Sequence, residues 1–156
     1  AKADVNYWMG RSLRAAGREV DARSAFEASA SESGDFTEMA VARYSSLTYF
    51  RGLSLRELGR DDEAEALFGA LLVYGTESIG KPAHIDYFAT SLPNLLVFDE
   101  SLQDRRDAEA HLLMALALHG LGNLQEATTA LDHVLAFSQA EPLAIAIRRE
   151  IERTSH

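Results

Sequence analysis

The stretch "YWMGRSLRAAGREVDARSAFEASA", Tyr7 to Ala30, has the pattern of two short helices separated by a turn. Gly17 lies where the first helix must end, because glycine readily adopts the left-handed conformation that closes a helix. The acidic residues after Gly17 indicate the start of a second helix, because the N-terminal end of a helix dipole is positive. Gly10 and Ala22 lie one on each helix, and small side chains let two helix axes approach closely. The stretch therefore predicts a close-packed helical hairpin.

Five positions of this hairpin return at the same spacing later in the chain. In the second copy they are Gly52, Leu55, Gly59, Ala64 and Phe68, and in the third copy Ala115, Leu118, Gly122, Ala127 and Leu131. Phe26 and its equivalents are expected to fill the space between one hairpin and the next. Units of this kind stack in order along an array, since each contacts only its neighbours.

The repeat divides the chain into three predicted hairpins, over residues 3–33, 37–75 and 103–138. One long helix, from about Thr37 to Leu58, is expected to open the second hairpin because the apolar residues keep a helical period there.

Two segments lie outside the hairpins. Residues 76–102 break the helical period with glycine and proline, and they are predicted to be an irregular insertion of short helical pieces and loops. Residues 142–153 have one apolar and one charged side, which is typical of a terminal capping helix whose outer face meets water.

The pattern resembles the tetratricopeptide repeat (TPR), which combines a small residue in the first helix, a turn glycine and an A-x3-F element in the second helix. "ARSAF" at 22–26 and "AEALF" at 64–68 fit that element. The chain departs from the family at two positions. Where the family favours tryptophan, the three copies have Asn6, Thr48 and His111. The proline that usually ends the unit is missing from all three copies. The copies also begin 42 and 63 residues apart instead of about 34.

The predicted fold class is all-α: an α-α superhelix of about three TPR-like hairpins with an irregular insertion and a C-terminal capping helix, in a single domain over residues 1–156. The segment "IDYFATSLPNLLVFDESL" at 85–102 is similar to a stretch of large bacterial TPR proteins of uncharacterised function, some joined to β-rich domains associated with carbohydrates. This resemblance implies a bacterial origin and a glycan context. It names no catalytic residue. The start at Ala1, inside a segment with a helical pattern, leads us to expect a fragment of a longer protein.

Composition and charge limit the classes of function. The 156 residues are 47% hydrophobic and 25% charged, as in folded rather than disordered chains. A net charge of −9 opposes attachment to nucleic acid or anionic lipid, while residues 1–23 carry five basic and three acidic side chains and favour an acidic partner. No apolar run approaches the roughly 20 residues of a membrane helix, and the N-terminus lacks a signal-peptide pattern, so we expect a cytoplasmic protein.

The sequence carries no pattern of a catalytic or metal site. It has no cysteine, nucleophile elbow, phosphate-binding loop, zinc-protease motif or EF-hand loop, so we expect neither enzymatic activity nor a cofactor or metal. His84 and Asp86 are the close histidine and carboxylate pair of the insertion, and two ligands do not make a metal site. With Tyr87 and Phe88 they leave one alternative open, an accessory module of a carbohydrate-processing protein.

The TPR resemblance implies that side chains beside the small residue of each first helix face a concave groove. These positions hold Asp4, Tyr7, Arg11 and Arg14 in the first copy, Ser46, Tyr49, Leu53 and Arg56 in the second, and Glu109, Leu112, Leu116 and His119 in the third. Tyrosine and arginine combine contact area with hydrogen bonding. The predicted partner-binding residues are therefore Tyr7, Arg11, Arg14, Tyr49 and Arg56.

The asparagines and lysines of the family's peptide-carboxylate clamp are absent, so binding of chaperone tails is not predicted. The predicted function is a non-catalytic scaffold that binds a protein or peptide, with an acidic segment favoured. Self-association is a further alternative, because an array end without a cap exposes a surface that a second copy could cover in a homodimer.

Overall fold

The structure is a computed structural model of the chain. It describes residues 2–32, 35–37, 40–42, 44–80 and 95–154, of which 35–37, 40–42 and 95–101 are described at the level of the backbone.

The described residues form seven helices and one two-stranded ribbon. The helices are α1 (Ala3–Ala15), α2 (Glu19–Ala30), α3 (Ser46–Glu57), α4 (Asp61–Ser78), α5 (Leu95–Gly120), α6 (Leu124–Phe137) and α7 (Pro142–Thr154). The strands β1 (Asp35–Thr37) and β2 (Ala40–Ala42) pair antiparallel, with Phe36 opposite Val41. The fold is thus built from packed helices, as predicted.

The three predicted turns share one geometry. Gly17, Gly59 and Gly122 have φ of 78°, 77° and 82°. Next to the first of them, the backbone N–H of Arg18 donates to the Leu13 carbonyl at 2.9 Å, which is the long hydrogen bond of a Schellman motif. The equivalent bonds run from Arg60 to Leu55 and from Asn123 to Leu118, both at 2.9 Å. The prediction that these glycines end the first helix of each hairpin is confirmed.

The small residues are contact points for the phenylalanines of the second helices. A Cβ added at Gly10 would lie 2.6 Å from the Phe26 ring, and one at Gly52 would also overlap the Phe68 ring. Phe68 reaches the next hairpin as well, because a Cβ at Gly120 would lie 2.6 Å from it. Phe68 therefore fills space between two hairpins, as the sequence predicts. Phe26 and Phe68 also fill the space beside the glycine of their own hairpin, which was not predicted.

The hairpins stack in chain order. Each helix packs on the next one, and the first helices also pack on one another, α1 on α3, α3 on α5 and α5 on α7. One continuous core runs through all seven helices, and its largest fully buried apolar side chains are Phe26, Phe68, Leu71, Leu116, Leu131 and Val134.

The predicted helix from Thr37 to Leu58 is wrong in its first half, because α3 begins at Ser46. Ser45 caps this helix: its Oγ accepts from the Leu47 N–H at 3.1 Å, while its own N–H donates to Thr48 Oγ1 at 3.0 Å. This reciprocal pair is a capping box, which satisfies backbone donors at a helix start. Residues 40–42 belong to the ribbon instead.

The predicted insertion of 76–102 is also shorter than expected at both ends. α4 continues to Ser78. Gly75 lies inside it as a packing glycine, and an added Cβ there would lie 3.1 Å from the Ala110 carbonyl oxygen of α5. Residues 95–102 are the first two turns of α5. Residues 81–94, with the predicted His84 and Asp86 pair and Tyr87 and Phe88, lie outside the described residues.

The terminal helix agrees with its prediction. α7 spans Pro142–Thr154 and buries Ala144, Ile147 and Ile151. The Glu141 carboxylate accepts a hydrogen bond from the Ala144 N–H at 2.6 Å and so caps the helix start. Within the described parts of the chain, no helix has the length and apolarity of a membrane span.

Candidate binding face of the first helices

Side chains of the three first helices α1, α3 and α5 and of the terminal helix α7 form a polar surface that we call the first-helix face. It consists of Tyr7, Arg11 and Arg14 from α1, Tyr49, Arg56 and Glu57 from α3, His119 from α5 and Glu150 from α7. The five predicted partner-binding residues all belong to it.

The two tyrosines form the floor of this face. Tyr7 lies one turn before Gly10, and its ring packs 6.1 Å from the Phe26 ring, while Tyr49 packs at the same distance from Phe68. Tyr7 is 4% exposed and Tyr49 is 2% exposed. Their rings therefore belong to the core, and the hydroxyl groups are the part of each tyrosine that meets the polar side chains of the face.

The two hydroxyl groups have different partners. Arg11 donates from Nη1 to the Tyr7 hydroxyl oxygen at 2.8 Å. The Tyr49 hydroxyl lies 2.8 Å from His119 Nδ1, and burial raises the pKa of Tyr49 well above its usual value. Burial also lowers the pKa of His119, an effect that Glu150 opposes and Arg56 reinforces. Both shifts favour the uncharged forms of the phenol and the imidazole, which share this hydrogen bond.

Arg14 has a structural role on this face. Its guanidinium lies 4.8 Å from the centre of the Phe26 ring, and it forms ion pairs with Glu19 at 2.8 Å and with Glu57 of the next hairpin. The second ion pair joins residues 43 positions apart. Arg14 thus links the first two hairpins, and its charge is balanced by two carboxylates.

Arg56 occupies the equivalent position of the second hairpin, with a different environment. It lies four residues after Gly52, as Arg14 lies after Gly10, and its guanidinium is 5.2 Å from the centre of the Phe68 ring. The side chain is exposed. Among the residues that the structure describes, no carboxylate forms an ion pair with it. Arg56 is therefore a positioned cation that is open to a ligand.

Two carboxylates of the face were not predicted. Glu57 pairs with Arg14 across the hairpin boundary, and Glu150 of α7 acts electrostatically on Tyr49 and His119. No local sequence signal marks either one, because both act on residues distant in the chain. They reduce the positive charge that the three arginines alone would give.

Of the other predicted groove positions, Asp4 is half-buried near the start of α1, and Leu53 is partly buried against the core. Leu116 is fully buried and is not part of any surface. Ser46, Glu109 and Leu112 line a cleft of about 560 Å³. This cleft is otherwise lined mainly by apolar and aromatic side chains, which include Tyr44, Tyr74, Leu113, Val134 and Phe137.

The histidines of the described residues form no metal site. The rings of His111 and His133 stack with 4.5 Å between their centroids, and His111 Nδ1 lies 2.7 Å from the Asp107 carbonyl oxygen. Within the described ranges, no group of three or more histidine and carboxylate side chains is placed to hold a metal ion.

No protein-family model matches this chain, and neither a curated protein nor a solved structure matches it.

Proposed function

We propose that the chain is a TPR-like array, curved into an α-α superhelix, that binds an extended segment of a partner protein along its first-helix face and catalyses no reaction. Three features support this proposal: the repeated Schellman turns, the small residues under each phenylalanine, and first helices that pack on one another in order. From the sequence resemblance we also propose that it is part of a large bacterial TPR protein that acts in the cytoplasm.

The observation that carries the proposal is the environment of Arg56, an exposed arginine whose guanidinium lies over the Phe68 ring. A guanidinium held over an aromatic ring keeps its N–H groups directed outward, and its planar fork can bind a carboxylate through two hydrogen bonds. Its neighbours Tyr49 and His119 are already paired with each other. Arg11 adds a second exposed cation, of which one N–H group is bound to Tyr7. An acidic side chain of the partner is the group that this arrangement fits.

The cleft supplies the second contact. Ser46 at the cleft and Arg56 lie ten residues apart on α3, a distance of about 15 Å along a helix. An extended peptide covers roughly 3.3 Å per residue, so four to five residues span this distance. We therefore propose that the partner segment places an apolar side chain in the cleft and an acidic side chain at Arg56, about four to five residues apart.

Panning of a library of linear 12-residue peptides on the immobilised protein tests this proposal. We expect enriched peptides with an acidic and an apolar residue at the stated separation. Arg56→Glu should weaken their binding at least about tenfold, because a charge-assisted bidentate contact becomes a repulsion. Fluorescence anisotropy with the labelled peptides measures the affinity.

Arg23→Glu is the matched control, because Arg23 is an exposed arginine on the second helix α2 and makes one long ion pair, to Glu27 at 3.6 Å. It should leave peptide affinity unchanged. Arg14 is not a useful test residue, since its loss would break the link to Glu57. The proposal is wrong if no peptide is enriched over panning on the Arg56→Glu protein, or if both variants bind equally well.

A further inference from the structure

His119 lies on the first-helix face at the repeat position that Arg56 takes in the second hairpin. Both residues follow the small residue of their first helix by four positions. Gly120, the next residue of α5, touches the phenylalanine that supports Arg56, since a Cβ added there would lie 2.6 Å from the Phe68 ring. The Phe68 ring is therefore in contact with both the Arg56 side chain and the turn of α5 that carries His119.

One nitrogen of the His119 ring is bound within the protein. Nδ1 lies 2.8 Å from the Tyr49 hydroxyl, and the two rings pack with 6.0 Å between their centroids. A hydroxyl group both donates and accepts hydrogen bonds, whereas a protonated imidazole donates from both of its nitrogens. The contact therefore persists when the imidazole gains a proton, because the phenol oxygen then accepts from Nδ1–H.

The other ring nitrogen, Nε2, is open to a ligand. The side chain is half-buried, and in the part of the chain that the structure describes Nε2 makes no hydrogen bond. When the ring is protonated, Nε2–H is a charged donor, and hydrogen bonds between charged donors and carboxylates are stronger than those between neutral groups. A protonated His119 therefore offers a carboxylate a second contact beside Arg56.

Two charged side chains of the face act on this ring in opposite directions. Burial lowers the pKa of His119, Glu150 of α7 opposes this effect, and Arg56 of α3 reinforces it. Of the other helices packed on α5, α4 brings the uncharged Phe68 ring to this turn, and no charged group of α4 or α6 within the described ranges contributes to the pKa shift. Without a partner, the charge of Arg56 therefore favours the neutral imidazole.

A carboxylate bound at Arg56 reverses this balance. It neutralises the guanidinium, and it is itself an opposite charge close to the ring, which favours the protonated form. We propose that His119 is a second cationic contact of the Arg56 site, and that it takes up a proton from solvent when an acidic side chain of the partner binds. Partner binding is then stronger at lower pH. This inference rests on the proposed function, which supplies the acidic side chain.

The affinity of a 12-residue peptide from the panning experiment, measured at pH 7.5 and pH 5.5, tests this proposal. The peptide is chosen without histidine, and its rhodamine label does not titrate in this range. Its carboxylates, with an ordinary pKa near 4, stay ionised at both values, and a constant ionic strength keeps screening equal. We expect about fivefold tighter binding at pH 5.5, because a nearby opposite charge raises proton affinity roughly tenfold and this range covers most of that change.

His119→Gln should remove the pH dependence, because an amide side chain still forms hydrogen bonds but does not titrate. His133→Gln is the matched control. His133 is an exposed histidine of α6 that stacks on His111 outside the first-helix face, so this variant should keep the fivefold change. In the unaltered protein, an NMR titration of the His119 ring should give a higher pKa with the peptide bound than without it.

The inference alone is overturned by equal affinity at the two pH values, by a pH dependence that persists in His119→Gln or disappears in His133→Gln, or by a His119 pKa that the peptide does not raise. The proposed function stands in each of these cases. Failure to enrich a peptide, or peptide binding that Arg56→Glu leaves unchanged, overturns both. If circular dichroism shows that His119→Gln does not fold, the NMR titration of the unaltered protein decides.

Discussion

Replacing Gly52 by alanine tests the packing on which the array depends. Phe68 is fully buried between Gly52 of its own hairpin and Gly120 of the next one. A methyl group at Gly52 would overlap the Phe68 ring, and overpacking of a core costs about 1–3 kcal/mol. Alanine offsets this cost by about 1 kcal/mol, because its helix propensity is higher than that of glycine. We expect Gly52→Ala to lower the free energy of unfolding by up to about 2 kcal/mol and the melting temperature by up to roughly 6 °C.

Gly69→Ala is the matched control, because it is the same substitution inside α4 with no atom within 4 Å of the added Cβ. Only the propensity gain remains there, so the free energy of unfolding should rise by about 0.5–1 kcal/mol. Urea titration followed by circular dichroism at 222 nm measures both variants. Equal effects of the two substitutions would refute the close contact between Gly52 and Phe68.

The third hairpin suggests a rescue. It has Ala115 and Leu131 where the second has glycine and phenylalanine, and both side chains are fully buried. The larger first-helix residue is thus matched by a smaller second-helix residue. Phe68→Leu alone should cost about 1 kcal/mol, but combined with Gly52→Ala it should cost about 1–2 kcal/mol less than the sum. Strict additivity would show that the two positions do not share one space.

Three further predictions concern capping, turn geometry and pH. Ser45→Ala removes one half of the capping box at α3 and should lower the free energy of unfolding by about 1 kcal/mol in urea titration. Gly59→Ala places a side chain at a φ of 77° and should cost about 1–2 kcal/mol, in contrast to the gain at Gly69. Because burial keeps the pKa of His119 below its usual value, the unfolded chain binds a proton more readily. Stability should then fall as the pH drops below about 6.5, and His119→Gln should reduce this loss in thermal melts at pH 7.5 and 5.5.

The hairpin turns could be predicted from the sequence because their signal is local. Glycine at the end of an apolar-periodic run is enough to specify a Schellman turn, and all three copies have one. Gly75 shows the limit of the same argument. The second predicted hairpin ends at Gly75, yet Gly75 lies inside α4 where α5 comes close. A glycine needed for a turn and a glycine needed for close packing look alike until the neighbouring helix is known.

The start of α3 was misplaced because hydrophobic period alone does not mark a helix end. The serine at 45 and the threonine three residues later carry the signal, since their side chains cap each other's backbone groups. A capping box is usually sought as serine or threonine followed by glutamate or glutamine. Threonine in the last position made the motif less visible.

The spacing from each small residue predicts which side chains accompany it on a first helix, but not the environment of each side chain. Arg11 binds the Tyr7 hydroxyl, Arg14 pairs with Glu57, and Arg56 lies over the Phe68 ring. The spacing could not show that Tyr7 and Tyr49 are buried under the first-helix face, because their burial depends on the phenylalanines of the second helices. Nor could it show the ion pair of Arg14, which depends on how two hairpins stack.

One repeat position is the reason that we propose partner binding at the middle hairpin. Four residues after the small residue of each first helix, the three copies have Arg14, Arg56 and His119. Arg14 is balanced by two carboxylates, and His119 is paired with a phenol and kept neutral by burial. Arg56 has the same aromatic support as Arg14, without an ion pair among the described residues. The repeat thus places Arg14, Arg56 and His119 at equivalent positions of the three first helices. Because their neighbours differ, we propose that Arg56 is the charged side chain left open to a partner.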